Sequence, residues 1–238
     1  QINTSLKDGS LTWDVSNVIN MSHMFDGAIM FNSQINNWNT INVEDMSYLF
    51  SQAINFNQEI DTREINLGSD IYIAWNTSNV KNMSYLFFEA TSFNQSIENW
   101  NTSSVTNMAS MFENAIVFNK NIGYKPAVNI GSTQFEAWNT SEVTSMHKMF
   151  NNAQEFNQDI SEWKVENVTD MKSMFYNAKK FNVDITSWNT KNLSPDEFYG
   201  MFLGATEFLN KYEIDRYLCD ILDYNGPPKC WKLRTTPL

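Results

Sequence analysis

A single stack of short α/β coils is the architecture this sequence predicts, and three observations predict it. Seven of the eight tryptophans, Trp13, Trp38, Trp75, Trp100, Trp138, Trp163 and Trp188, recur with gaps of 25, 37, 25, 38, 25 and 25 residues. Apolar residues return at fixed distances behind each of them. The 238 residues, 42% hydrophobic and 14% aromatic, suffice to bury a substantial core. Self-similarity at a fixed period of this size signals repeat architecture, in which each unit buries its apolar face only against its neighbours.

Within a unit, Val (Leu once) comes five residues after Trp, as at Val18, Val43 and Leu193. Met comes eight after it in six units, at Met21, Met46, Met83, Met108, Met146 and Met171. A Met-Phe or Leu-Phe pair follows, then Ala, then Phe-Asn, then Ile, as in Met24-Phe25, Ala28, Phe31-Asn32 and Ile35; the seventh unit runs two residues late, with Met201, Phe202, Ala205 and Phe208. The spacing Met-x-x-Met-Phe-x-x-Ala places its apolar groups on one face of a short helix. Asn20, Asp45, Asn82, Asn107, Ser145 and Asp170 stand where N-caps of those helices would. Phe-Asn-x-x-Ile-x-x-Trp reads as a short extended segment, so each coil is expected to hold one short helix and one or two short strands. The recurrent Asn after Phe is expected to bond the backbone of the next coil, forming an internal ladder.

The two long gaps contain related sequences, EINLGSDIYIAW at 64–75 and AVNIGSTQFEAW at 127–138. Each holds a Gly-Ser pair between alternating apolar residues, the pattern of a tight hairpin turn. Hairpin inserts are therefore expected at 61–74 and 123–137, projecting on one side. Their tips, Gly68, Ser69, Gly131 and Ser132, are candidate partner-binding positions, because insertions in repeat proteins often map to a binding face. Padding of a sheet edge is the plainer alternative.

The solenoid is expected to occupy residues 1–208 and a C-terminal cap residues 209–238. Residues 212–224 place Ile214, Tyr217, Leu218, Ile221 and Leu222 on one helical face, and Gly226, Pro227 and Pro228 stop it. A helical cap over the last apolar rung follows, with a Cys219–Cys230 disulfide as its expected staple. At the other end, Gln1-Ile2 reads as the tail of a further unit.

The formal net charge of −11 repels phosphate backbones and anionic bilayers, which speaks against nucleic acid and against direct membrane insertion. No apolar run reaches the 18 residues of a membrane-spanning helix. His23 and His147 are the only histidines, and neither has the companions of a metal site or a catalytic triad. No glycine-rich phosphate loop is present. No catalytic residue, metal site or cofactor is expected. Among many Asn-x-Ser/Thr sequons, those at the Trp-Asn-Thr-Ser corner, Asn76, Asn101 and Asn139, are expected to be the most exposed and so the candidates for glycosylation.

The segment WNTSNVKNMSYLFFEATSFNQSI at 75–97, matched in seven registers between residues 13 and about 208, resembles the BspA-like leucine-rich-repeat surface proteins. The resemblance implies a leucine-rich-repeat-like solenoid in an extracellular, cell-surface or virion-surface setting, with adhesion or the binding of a protein or glycan as its role. It brings no catalytic residues. A structural subunit of an ordered assembly, packing against copies of itself, is the alternative expectation.

Overall fold

The computed structural model describes residues 2–5, 11–66, 68, 70–215 and 227–235. Regular structure is sparse. Among the described residues eight short strands form four antiparallel pairs: β1 (Ile2–Ser5) with β2 (Leu11–Trp13), β3 (Arg63–Asn66) with β4 (Ile71–Ala74), β5 (Lys125–Ile130) with β6 (Thr133–Ala137), and β7 (Tyr212–Ile214) with β8 (Trp231–Leu233). The described residues also hold one helix, α1 (Thr206–Lys211), and single 3-10 turns at Pro195–Phe198 and Pro228–Cys230. All else described is repeated turn structure, unit laid on unit.

The short helix expected in each unit is absent. The Met-x-x-Met-Phe-x-x-Ala stretch is a run of β-turns, because two positions per unit adopt left-handed backbone. The first, two residues after the first Met, has φ from 53° to 59° at His23, Tyr48, Tyr85, Ser110, Lys148 and Ser173. The second, four residues later, has φ from 54° to 60° at Gln52, Glu89, Asn114, Asn152 and Asn177, with Gly27 and Gly204 at its two ends. A left-handed third residue closes a turn instead of propagating a helix. Helix-like spacing survives because each turn advances three or four residues, so the same apolar groups still point inward.

The units are joined by those turns. Met46, Tyr48, Phe50 and Gln52 donate their N–H groups to the carbonyls of Asn82, Ser84, Leu86 and Phe88 in the next unit, at 2.9, 3.0, 3.0 and 2.6 Å. The alternate N–H groups of Leu49, Ser51 and Ala53 close turns inside the unit. Asn20, Asp45, Asn82, Asn107, Ser145 and Asp170, which the sequence marks as helix caps, are linked one to the next by parallel bridges. Their side chains do cap, but each accepts the N–H two residues on, as from Ser47 to Asp45 Oδ1 at 2.9 Å, which is an Asx turn.

Buried rings fill the interior. Phe25, Phe50, Phe87, Phe112, Phe150, Phe175 and Phe202 form a column with centroids 5.5–5.9 Å apart. A second column runs from Phe31 through Phe56, Phe93, Phe118, Phe156 and Phe181 to Phe208, and partners in the two columns lie face to face at 3.8–4.1 Å. The tryptophans form a third row, each indole from Trp75 onward donating Nε1–H to an Ile carbonyl of the preceding coil, as from Trp100 to Ile60 at 2.9 Å. Burying this many rings supplies the dominant driving force, roughly 1.5–3 kcal/mol for each fully buried Phe before entropy is charged against it.

Two polar ladders bind the edges of the stack. The Oδ1 atoms of Asn32, Asn57, Asn94, Asn119 and Asn157 accept the backbone N–H of Asn57, Asn94, Asn119, Asn157 and Asn182 in turn, at 2.9–3.0 Å, as expected of the Asn after Phe. The corner threonines Thr40, Thr77, Thr102 and Thr140 are buried and donate to carbonyls of the following unit.

At the C-terminal end the expected helix over 212–224 is not formed at its start: Tyr212–Ile214 is a strand paired with Trp231–Leu233, and residues 216–226 lie outside the described residues. The cap is this hairpin with α1. Trp231 sets its ring edge-on to Phe202 and Phe208 at 5.2 Å, and Tyr212 packs on Phe208 at 4.7 Å. Cys230 is buried and disulfide-bonded, while Cys219 lies outside the described residues. At the other end Ile2 is no repeat tail; it opens β1 and pairs opposite Trp13.

Candidate binding surface

Three hairpins interrupt an otherwise uniform stack, and each runs directly into a tryptophan: β1–β2 into Trp13, β3–β4 into Trp75, and β5–β6 into Trp138. Those tryptophans are 62 and 63 residues apart, so the chain carries a longer period of one hairpin plus two or more coils. Trp75 and Trp138 themselves take left-handed backbone, φ 47° and 50°. Their N–H groups bond Trp38 and Trp100 across the stack at 2.9 and 3.0 Å, which returns the chain from hairpin to coil.

The two inner hairpins differ at their tips. β5–β6 closes through Gly131-Ser132, with Gly131 at φ 59°, the two-residue turn its sequence suggests. β3–β4 pairs Asn66 with Ile71 as its last pair, and the expected Gly68-Ser69 turn falls partly on Leu67 and Ser69, which lie outside the described residues. Pro126, which cannot donate to a ladder, falls in the irregular stretch of β5 between the Lys125 and Val128 pairings. The tips are not independent projections. A Cβ built on Gly131 would collide with the Glu64 carboxylate and lie 3.6 Å from Ile73 Cδ1, so the second hairpin reaches back to the first.

Between them lies a narrow cleft of about 50 Å³, lined by Ile73 of β4, Thr133 and Phe135 of β6, and a floor that includes Asn76, Thr77, Ser78 and Asn101. Its walls carry apolar groups; its floor is polar, with the Thr77 hydroxyl buried on the Asn101 carbonyl and Asn76, Ser78 and Asn101 partly exposed. On the other side of the β3–β4 base a polar cleft of about 140 Å³ is lined by Asn36, Glu59, Asp61, Arg63, Gln95 and Ser96. Asp61 accepts N–H bonds from Thr62 and Asn99, both at 3.0 Å, yet burial still holds its carboxyl above the ordinary range. Arg63 approaches Glu59 at 3.9 Å, and its buried Nε has no partner among the described residues. Tyr72, whose hydroxyl donates to the Asn37 carbonyl at 2.6 Å, and Lys125, 2.9 Å from Glu98, fix the hairpins to the coils.

The expected site residues fall out unevenly. Gly68, Gly131 and Ser132 are exposed, and Ser69 lies outside the described residues. The corner asparagines are less accessible than expected: Asn139 is only 9% exposed, and Asn76 and Asn101 are half-buried. All three spend Oδ1 on the N–H two residues ahead, and Asn139 Nδ2 also donates to Glu136. The repeat turns these amides into structural Asx turns, so the corner is the wrong place to look for an exposed sequon. His23 is exposed and stacks on Tyr48 at 4.5 Å, whereas His147 is half-buried, 3.4 Å from Asp170. Among the described residues no cluster of three or more His, Cys, Asp or Glu is arranged to hold a metal ion, and no helix is long and apolar enough to cross a membrane.

Sequence reasoning missed Ile73, Thr133 and Phe135 as cleft walls. Their alternation with outward residues was the available signal. It also missed the β1–β2 hairpin: a Gly9-Ser10 pair precedes Trp13 by four residues, against seven for Gly68 and Gly131, and the register hid the likeness.

The family model described as "Mycoplasma protein of unknown function, DUF285" matches three successive spans, residues 1–67, 62–130 and 124–217. Each span opens on a hairpin and continues through the coils that follow it. No curated protein and no solved structure matches the chain. The chain belongs to the DUF285 family, as three tandem repeats of it.

Proposed function

We propose that this DUF285 chain is a non-enzymatic binding module of an extracellular, cell-surface or virion-surface protein, and that it engages a protein or glycan through the cleft between its two inner hairpins. In this reading the stack is a leucine-rich-repeat-like solenoid of the BspA-like kind, serving as a rigid carrier. The cleft between β3–β4 and β5–β6 is the observation that carries the proposal. A uniform stack needs no hairpins for its own stability, yet here two of them face each other over a polar floor. Apolar walls with a few convergent polar groups are the ordinary composition of a recognition site. The surface charge of −11 turns away nucleic acid and favours neutral or basic ligands.

The test is a screen of the purified chain against arrayed glycans and surface proteins, repeated with Ile73→Asp and Phe135→Asp. Ile73 and Phe135 are partly buried wall residues outside the ring columns, so circular dichroism should show both variants folded. Binding by the wild type that falls at least tenfold in both folded variants supports the cleft. A ligand held equally well by all three removes it.

A further inference from the structure

The two ends of the stack are finished differently. At the C-terminal end Met201, Phe202, Ala205 and Phe208, the last of them within α1, are fully buried, with Trp231 and Tyr212 of the β7–β8 hairpin packed on the two rings. At the N-terminal end the equivalent residues are open: Met24, Ala28 and Phe31 are half-buried, where Leu49, Ala53 and Phe56 one unit inward are at 0% exposure. A pocket of about 220 Å³ lies over the ends of the ring columns, lined by Phe25, Phe31, Ile35 and Trp38 with Trp13, Ser33 and Gln34.

The backbone is unfinished in the same place. In every later unit, the carbonyls before, one after, three after and five after the first Met (Phe198 in the seventh unit) accept N–H groups from the unit preceding it. Asp45, Ser47, Leu49 and Ser51 take them from Met21, His23, Phe25 and Gly27. In the first unit the equivalent carbonyls belong to Asn20, Ser22, Met24 and Asp26. Among the described residues no N–H reaches any of the four. A row of four aligned acceptors beside an apolar pocket is an open edge, and its complement is already known from six unit-to-unit junctions in this chain.

We infer that the first unit's open face is a receiving surface for one further 25-residue unit of this same repeat, docked in register. The occupant must present four N–H donors at alternate positions and two rings that extend the Phe columns. A second copy of the chain does not offer them: its own last rung is sealed by Trp231 and Tyr212, and its first rung presents acceptors to acceptors. Loops or unrelated helices lack the donor spacing. The inference is independent of what the hairpin cleft binds.

Two experiments test it. In the first, a copy of residues 38–62 is joined ahead of Gln1 in the full chain, so that the added coil runs into β1 as Thr62 runs into β3. The amides at the added positions equivalent to Met46, Tyr48, Phe50 and Gln52 should then exchange at least 100-fold more slowly than in the free 25-residue peptide. Exchange at the free-peptide rate, with the rest of the chain still protected, would overturn the inference. In the second, the unaltered chain is titrated with the synthetic 38–62 peptide and the methyl signals of Ile35, which lines the pocket, and of Met24, whose carbonyl is one of the four acceptors, are followed. Saturable shifts that disappear when the four donor nitrogens are methylated support the docking. Equal shifts with the methylated peptide would also overturn it.

Discussion

Asn94 Oδ1 accepts the backbone N–H of Asn119, 25 residues further along the chain, at 3.0 Å, while the N–H of Asn94 itself donates to Asn57 Oδ1 at 2.9 Å. Each such asparagine satisfies one backbone group of its neighbour and is satisfied in turn, so the row acts as a spine. Removing one link orphans a partly buried N–H. Asn94→Ala should therefore cost about 1–3 kcal/mol in urea unfolding. Asn94→Asp keeps an acceptor in place and should cost less. Equal losses for the two would show that the side-chain oxygen is not what matters.

Lys148 distinguishes a ladder of turns from a stack of helices. Its φ of 53° is strained for any residue with a Cβ, and its ion pair with Glu113 is long at 3.8 Å and adds little. Glycine relieves the strain, so Lys148→Gly should be more stable than Lys148→Ala by about 1 kcal/mol. In a helix the order reverses, with glycine worse than alanine by about 1 kcal/mol. Thermal unfolding of the two variants reads the sign directly.

That sign also marks where the sequence ran out. Trp, Met, Phe and Asn returned at intervals that made the repeat, its ring columns and its asparagine ladder legible before any coordinates. The turn structure was not legible, because Met-x-x-Met-Phe-x-x-Ala spaces its apolar groups alike in a helix and in linked turns. Left-handed positions occupied by Tyr48, Lys148 or Ser173 give no warning, where a recurrent Gly would have. The inserts were legible as hairpins from Gly-Ser pairs between alternating residues. The cleft was not, since it depends on the Gly131 tip folding back to Glu64, a contact between segments 67 residues apart. The exposed-corner expectation failed for a related reason: Asn139 looks like a surface sequon until its Asx turn and its bond to Glu136 are seen.

Asp61 gives a pH dependence of defined sign. Burial raises its carboxyl above the ordinary value of 3.8, outweighing the opposing bonds from Asn99 and Thr62. The folded state then holds the proton more tightly than the unfolded chain. Its contribution is fully present below the unfolded value and is lost as pH rises through the folded one. The stability of the wild type relative to Asp61→Asn should accordingly fall as pH is raised from about 3 to 7, measured by urea unfolding, since Asn does not titrate. A difference that grows with pH would contradict the assignment.

Register tests the central claim most directly: units stack one per step, whatever the length of chain between them. Spin labels at Glu44 and Thr144 span three steps and 100 residues, with both inner hairpins between them; labels at Lys81 and Thr169 span three steps and 88 residues, with one. The backbone separations at three steps should be roughly 15–18 Å in both pairs, given about 4.8 Å or slightly more per bridged step. Equal distances by electron–electron resonance are the result the stack requires. A clearly longer distance for the 44–144 pair would mean that the inserts push the coils apart and that no common ladder runs through them.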